Sequence, residues 1–303
     1  MARPQKDLDL HKLEVFYWVA ELGSFSEAAQ RLSLRQPTVS AHIQDLEKGI
    51  GGKLFYRTPG KVSLTPLGEM IAIKASSLLA FKRETLSAVE QFHGTLSGEL
   101  WVGGSNIPGE YLLPQKLGAF IQKYPAVRPI LRIGDSAGVI EDVVDGKVEV
   151  GYVGFKAVDA RLAFETIWKD EMVLAIPKNH HWAARRTIEL SALQSERFIS
   201  RETGSGTLDS FRGLLADRGE AADKVLNVAM QLGSTEAVKQ ALLGGFGVSI
   251  LSRTSISREL AEGVLIEMPI EGLKMERDFY EVLYRQRPLS PAAQTFRQFL
   301  QLP

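Results

Sequence analysis

The 303-residue sequence contains no cysteine. That excludes disulfides, thiolate metal sites and thiol-based redox sensing. It carries no net charge, with 36 basic and 36 acidic residues, so no whole-protein field draws it to nucleic acid. Any affinity for a polyanion has to be local. The N-terminus lacks the apolar core of an export signal, and no apolar run is long enough to span a bilayer. A membrane is therefore not an expected partner, and a cytoplasmic location is the default expectation. There is no GxSxG elbow and no Walker glycine–lysine loop, and Gly204-Ser205-Gly206 lacks the third glycine of a dinucleotide fingerprint. No cofactor is called for. His180 and His181 are adjacent, so on an extended chain their imidazoles point apart, and no Asp, Glu or His at ligand spacing accompanies them. They read as structural or surface residues, with no metal site expected.

What is present concentrates in residues 15–68. Leu10, Leu13, Phe16, Tyr17 and Ala20 recur at helical spacing and mark a first helix with one apolar face. Gly23 suits its end, and Ser26 is the candidate N-cap of a second helix. Ala28 and Ala29 are small enough for a crossing helix to approach closely. A third helix begins near Gln36-Pro37, since proline is tolerated in a first turn. Val39, Ile43 and Leu46 face inward, and the polar residues between them stay outside. Lys53 to Arg57 and Val62 to Thr65, joined by a Pro59-Gly60 turn, form a two-stranded wing.

This is the layout of a winged helix-turn-helix, which lays a short helix in the major groove of DNA. The candidate DNA contacts are Ser33, Arg35, Gln36, Pro37, Thr38, Ser40, His42 and Gln44, with Arg57 and Lys61 of the wing placed for phosphates. Residues 1–65 hold nine lysines and arginines against seven acids, a slight local excess of positive charge. Any one of these positions is equally consistent with a helical module that has no DNA role. The array as a whole is far more specific than its members.

The segment resembles the winged helix-turn-helix of LysR-type transcriptional regulators. The matching residues include Phe16, Gly23, Ser24, Phe25, Ala28, Ala29, Leu32, Gln36, Pro37, Val39, Ser40, Leu54, Phe55, Arg57, Leu64, Thr65 and Gly68. Arg35 stands where the family more often has a small polar residue, and Gly60 and Ser63 where it often has basic ones. These departures bear on base preference and on the wing's phosphate contacts.

Residues 67–92 contain a single glycine, at the start, and no proline, and carry an apolar stripe through Met70, Ile71, Ala75, Leu78, Leu79, Phe81, Leu86 and Val89. A helix of roughly 25 residues would run about 35–40 Å. It reads as a dimerisation helix, because it leads directly out of the DNA-reading segment and mixes spacings of three and four as a helix–helix seam does. The alternative is a core helix of the next domain. Two reading heads suit an interrupted palindrome in double-stranded DNA. Residues 93–98 then read as a hinge.

Beyond Gly98, short strands alternate with helices in an order that suggests parallel sheets of βαβ units. This region resembles the LysR effector-binding domain, a pair of Rossmann-like lobes akin to type 2 periplasmic binding proteins, in the stretches at 145–151, 175–181 and 244–248. The expected organisation is an α/β chain: DNA-binding domain 1–66, linker helix and hinge 67–97, and effector domain 98–303. Lobe I takes 98–166 and 269–303, lobe II takes 167–268, and the chain crosses near Thr166 and Met268.

Open α/β sheets bind ligands beyond the carboxyl ends of their strands. The candidate effector residues there are Ser105 and Asn106, Ser136 and Ala137, Thr203, Gly204, Ser205, Gly206 and Thr207, and Ser234 and Thr235. Hydroxyls and glycine N–H groups near helix starts suit an anion. A single Ser or Thr in such a place is more often a plain cap; it is the convergence of four segments that points to a site. The resemblance implies that Ser105, Ser136 and Thr203 line the cleft. The GSGT loop is similar to that of LysR members tied to sulfur or related oxyanion metabolism. Asp135 and Glu202 count against a dianion unless they point away.

The expected function is a DNA-binding regulator modulated by a small anionic metabolite, with a bulkier aromatic or organic acid as the alternative effector. An α/β enzyme or a solute-binding protein fused to a DNA-binding domain is the distant alternative. The resemblance implies a homotetramer built as a dimer of dimers, and RNA polymerase is a candidate further partner.

Overall fold

Asp9 opens the first helix. Its carboxylate accepts from the N–H groups of His11 at 2.8 Å and Lys12 at 3.2 Å, and α1 runs Leu10–Leu22. Gly23, left-handed at φ 60°, ends it. α2 spans Phe25–Arg31, and its N-cap is Ser24, whose hydroxyl accepts from the Glu27 N–H at 3.2 Å. The sequence points to Ser26 for this cap. Ser26 lies inside the helix instead, and Ser24 has the extended backbone (φ −147°, ψ 122°) that a cap needs. α3 covers Gln36–Ile50, with Pro37 in its first turn and Gly51 (φ 81°) at its end.

The computed structural model describes residues 8–58, 61–92 and 96–301. β1 (Phe55–Thr58) and β2 (Lys61–Leu64) pair antiparallel as the wing. The Pro59-Gly60 turn and residues 93–95 of the hinge lie outside the described residues. Phe16, Val39, Ile43, Leu54 and Phe55 form the buried centre of this unit. The long helix α4 (Pro66–Phe92) starts where the Thr65 hydroxyl donates to the Lys53 carbonyl at 2.7 Å and accepts from the Gly68 N–H at 3.0 Å. A Cβ at Gly68 would collide with the Leu54 carbonyl oxygen, so the close approach of helix to wing requires glycine. The chain divides into two units, residues up to 89 together with 145–147, and residues 90–144 together with those from 148 on.

The second unit alternates as β3 (Gly98–Ser105), α5 (Leu113–Lys123), β4 (Val127–Gly134), α6 (Ser136–Asp145), β5 (Val150–Val153) and β6 (Leu162–Pro177). A single π-type turn, Pro108–Leu112, precedes α5. Then follow β7 (Phe198–Arg201), α7 (Gly206–Ala216), α8 (Ala222–Val225), β8 (Val228–Leu232), α9 (Thr235–Leu243) and β9 (Ser249–Ser252). The chain closes with α10 (Ser257–Ala261), β10 (Leu265–Met268), β11 (Glu276–Tyr284) and α11 (Pro291–Gln301).

These elements build two lobes. In the first, β3 pairs in parallel with β4 and β5, over a core of Leu100, Phe120, Tyr152 and Phe296. In the second, β9 and β10 flank the end of β6, and Leu174, Trp182, Phe211 and Val248 are buried. The sheets are mixed, not parallel throughout as the alternation suggests. β6 pairs antiparallel with β11, β9 and β10. The reason is geometric: one strand leads into the second lobe and another returns beside it, so the two run in opposite directions. β6 has 16 residues and β11 nine, and the passages between lobes run within these strands. Thr166 sits inside β6, paired with Tyr280, while Met268 ends β10, paired with Leu174.

Candidate functional site

The candidate DNA-reading face is an exposed helix start. Ser33 forms the turn before α3 with a left-handed φ of 54°. Arg35, Gln36, Pro37 and Thr38 are all exposed there, and Arg35 as N-cap contributes no side-chain hydrogen bond. Gln36 donates from Nε2 to Ser40 Oγ at 3.2 Å, and Gln44 continues that flank one turn on. Thr38 and His42 share the other flank, where the half-buried His42 ring meets His11 edge-on at 5.3 Å. The helix thus brings Gln36, Ser40 and Gln44 together and sets His42 against α1. Arg57 and Lys61 stand on β1 and β2, but their side chains lie outside the described residues.

Between the two lobes is a cavity of about 300 Å³, counted with the solvent at its open mouth. The first lobe contributes Ser105 and Asn106 at the end of β3, and Asp135 and Ser136 at the start of α6. The second contributes Arg201, Ser205, Gly206 and Thr207, with Arg277 and Phe279 coming from β11.

Each side offers groups for negative charge. Ser205 is the N-cap of α7, yet its hydroxyl does not cap the helix, which leaves first-turn N–H groups for a ligand. Ser136 Oγ accepts from the Gly154 N–H at 3.1 Å. A Cβ at Gly206 would lie 3.7 Å from Ser136 Oγ and 3.9 Å from the Gly154 Cα. Glycine here keeps that space open.

Two buried guanidinium groups dominate the electrostatics, and sequence reading misses both as site residues. Arg201 donates from Nε and Nη2 to Glu202 at 2.7 and 2.6 Å, and from Nη1 to Thr235 Oγ1 at 2.5 Å. With its amide oriented to satisfy both neighbours, Asn106 accepts from Arg201 Nη2 at 2.8 Å and donates to the Gly134 carbonyl at 3.0 Å, which ties lobe to lobe. Arg277 donates from Nε to Asp170 Oδ2 at 2.8 Å and from Nη1 to Thr207 Oγ1 at 3.1 Å. Its Nη2 lies 2.7 Å from Asp170 Oδ2 but off the direction a hydrogen bond needs, so it is a buried donor without an acceptor. Burial pushes the Arg277 pKa down, and Asp170 opposes that.

The carboxylates that count against an anion are accounted for. Burial raises the Glu202 carboxyl, but the Arg201 hydrogen bonds outweigh it and hold its pKa below the usual glutamate value. Asp135 is exposed at the rim, with Oδ1 accepting from the Gly138 N–H at 2.7 Å. Not every candidate lines the cavity. Ala137 and Thr203 are exposed, and Gly204 supplies a left-handed turn at φ 89°. Ser234 is a plain cap of α9, accepting from the Ala237 N–H at 3.1 Å. Thr235 acts behind the wall, holding Arg201.

One further correction concerns the histidines. The chain at 180–181 is a turn, and it does not splay the imidazoles. The ring centroids are 4.4 Å apart, and both Nε2 atoms approach Glu196, at 3.4 Å for His180 and 3.1 Å for His181.

The comparisons agree with this architecture. Residues 10–69 match the family description "Bacterial regulatory helix-turn-helix protein, lysR family", and residues 93–302 match "LysR substrate binding domain". The chain is 30% identical to the HTH-type transcriptional activator CmpR of Synechocystis sp., over 97% of this chain and 95% of that one. Full-length OxyR from Pseudomonas aeruginosa shares the fold, at a TM-score of 0.74 and 20% identity over 98% of this chain and 95% of that one. The regulatory domain of Synechocystis PCC6803 CcmR, solved in complex with 2-PG, matches at a TM-score of 0.61 and 28% identity, covering 67% of this chain and 95% of that one. No helix among the described residues is long and apolar enough to cross a membrane. A helix-turn-helix with an uncapped, exposed recognition-helix start, followed by two lobes around a polar cavity, carries those matches over nearly its whole length: the chain belongs to the LysR family of transcriptional regulators, with a DNA-binding module and an effector-binding domain.

Proposed function

We propose that this regulator senses a small anion held between its lobes. The observation that carries the reading is the pairing of two features at one cavity. The uncapped start of α7 leaves N–H groups for a ligand, and Arg277, beside it, keeps a buried Nη2 without an acceptor. An oxyanion would satisfy both, and helix N-termini favour negative charge. Because Ser136 and Gly206 belong to different lobes, an anion touching both binds the closed arrangement better than an open one. That difference in affinity is what a population shift requires. The relative solved with 2-PG supports an acidic ligand by analogy.

A bulkier acid is the second reading. A broader groove, about 1130 Å³, shares Gly154 and Arg277 with the cavity and runs past Lys156, Lys169 and Tyr280. An elongated acid could place its charged end at Arg277 and its remainder along that groove.

The oligomer follows from α4. Met70, Ile73, Phe81, Leu86 and Val89 are exposed along it, a stripe that pairing with a second copy would cover. The regulator acts in the cytoplasm as a dimer of dimers on an interrupted palindrome, and not as an enzyme.

Two experiments test this. Thermal-shift titration with sulfate, thiosulfate, phosphate, O-acetylserine and aromatic carboxylates identifies the ligand class, since a ligand of the folded state raises the melting temperature by mass action. A rise with none of these anions removes the anion reading; a rise with aromatic acids alone favours the second. For DNA, Gln36→Ala with Ser40→Ala should relax sequence preference, while Lys61→Ala should weaken binding to all sequences and flatten the salt slope. Equal losses on specific and random DNA in every variant would exclude base readout by α3.

A further inference from the structure

We propose that His180, His181 and Glu196 form a binding site for a divalent ion of the zinc class on the second lobe. The site is separate from the effector cavity and stands whether or not the effector is an anion.

The turn after β6 folds back through hydrogen bonds from the His180 N–H to the Pro177 carbonyl, 2.9 Å, and from the Ala183 N–H to the His180 carbonyl, 2.8 Å. It thereby brings two consecutive imidazoles side by side, tilted 32° to each other, instead of splaying them. Glu196 reaches them from the end of a short 3-10 turn, Leu190–Ser195, immediately ahead of β7. One donor atom from each of the three residues lies within 4.8 Å of the others. Two imidazoles and a carboxylate are the ligand types that zinc and its neighbours prefer.

The spacing suits such an ion. Bonds of about 2.1 Å in tetrahedral geometry put neighbouring ligand atoms about 3.4 Å apart. The His180–Glu196 and His181–Glu196 separations, 3.4 and 3.1 Å, are already close to that. The support beneath is rigid: Trp182 is buried, with its ring 5.0 Å from His180 and 5.5 Å from His181. Access is also provided, since the His181 side chain is 59% exposed while those of His180 and Glu196 are largely covered. A fourth ligand would be water or a group from another molecule.

One rearrangement is required. His180 Nδ1 accepts from the Trp182 N–H at 3.2 Å, so the ring proton sits on Nε2 and points to Glu196. To bind through Nε2, His180 moves that proton to Nδ1 through solvent and gives up this long bond. His181 gives its Nε2 position to the ion with its proton on Nδ1. No bond to carbon changes and nothing is oxidised. The bound ion would tether the turn to the segment that leads into β7, whose last residue, Arg201, lines the effector cavity.

The test uses tag-free full-length protein and Zn²⁺ in competition with a chromophoric chelator, alongside Ni²⁺ or Cu²⁺ quenching of tryptophan fluorescence. Wild type should bind one ion per chain, and His181→Ala and Glu196→Gln should each weaken binding by roughly ten- to a hundredfold. The quenching should disappear in Trp182→Phe while the chelator result persists. His181 is exposed, so its replacement leaves the fold intact, and metal-free melting curves verify this. No binding at roughly 100 µM ion, the range of incidental surface contacts, would overturn the proposal. So would equal affinity in wild type and both variants.

Discussion

Arg277 and Asp170 face each other across the two strands that join the lobes. They are register partners on β11 and β6, Arg277 Nε lies 2.8 Å from Asp170 Oδ2, and their side chains are 6% and 1% exposed. Asp170 also accepts from Ser252 Oγ at 2.7 Å on its other oxygen. The pair therefore pins the passage between lobes from the second-lobe side, and Nη1 of the same guanidinium donates to Thr207 Oγ1 at 3.1 Å beside the cavity. Removing one partner strands a buried charge, which typically costs about 3–5 kcal/mol. Asp170→Asn should lower the urea midpoint accordingly. The double replacement Asp170→Leu with Arg277→Met should recover much of the loss, since no charge is then left unpaired. An unchanged midpoint in Asp170→Asn would show that the pair does not hold the lobes.

The winged module should lose stability in acid through Glu47. Its carboxylate is buried and accepts from the Leu54 N–H at 2.9 Å and from Lys53 Nζ at 2.8 Å. Burial raises its pKa, but the Lys53 and backbone interactions outweigh that and hold it below the usual glutamate value. A lowered folded-state pKa means stabilisation that is full above the unfolded pKa and lost as pH falls through the folded one. Glu47→Gln should cost about 1.5–3 kcal/mol at neutral pH, the range for hydrogen bonds to a charged group. It should also flatten the acid limb of the melting profile. Parallel acid limbs in wild type and variant would rule Glu47 out as the titrating group.

Gly206→Ala separates ligand binding from folding. The new methyl meets Ser136 Oγ and the Gly154 Cα at ordinary contact distances, 3.7 and 3.9 Å, so the fold should tolerate it. Gly206 is the first residue of its helix and has an ordinary negative φ, so alanine fits its backbone without strain. The methyl nevertheless occupies space between the lobes that the anion needs. The melting temperature without ligand should hold or rise slightly, while the anion-induced shift falls by the equivalent of at least about tenfold in affinity. A full ligand shift in this variant would move the site elsewhere.

Phe81→Glu probes the α4 seam. Phe81 is 61% exposed in one chain, and among the described residues of its helix five other large apolar side chains are exposed, at 70, 73, 78, 86 and 89. A charge there is costly only if another chain covers it. Sedimentation should show dissociation to smaller species, with operator affinity reduced because two heads no longer bind together. An unaltered sedimentation coefficient would place the dimer contact on another surface.

The sequence by itself determined the local, periodic parts of this protein. Val39, Ile43 and Leu46 at spacings of four and three specify which face of α3 is buried, and so which residues remain to meet DNA. Gly23 and Gly51 mark helix ends because few other residues adopt a left-handed backbone without strain. Of the four loops the sequence offers, those at 105–106, 135–136 and 205–207 meet at the cavity, while Ser234 only caps its helix; hydroxyls and glycines next to helix starts look alike in both roles.

Tertiary structure decided what depends on distant partners. Arg201 looks like an ordinary strand-end arginine until Glu202, Thr235 and Asn106 are seen around it. Arg277 lies 107 positions from Asp170, and no local pattern announces that pairing. The first half of β6, Leu162 to Lys169, shows no regular alternation of apolar and polar residues, and the returning β11 pairs along it as a strand. The histidines were misread for a related reason: adjacent side chains diverge on an extended chain, but the turn at Pro177 and the arrival of Glu196 bring them together. Periodicity is encoded over a few residues and survives in the sequence. Burial of a charge, pairing across lobes and convergence on a carboxylate are properties of the folded chain alone.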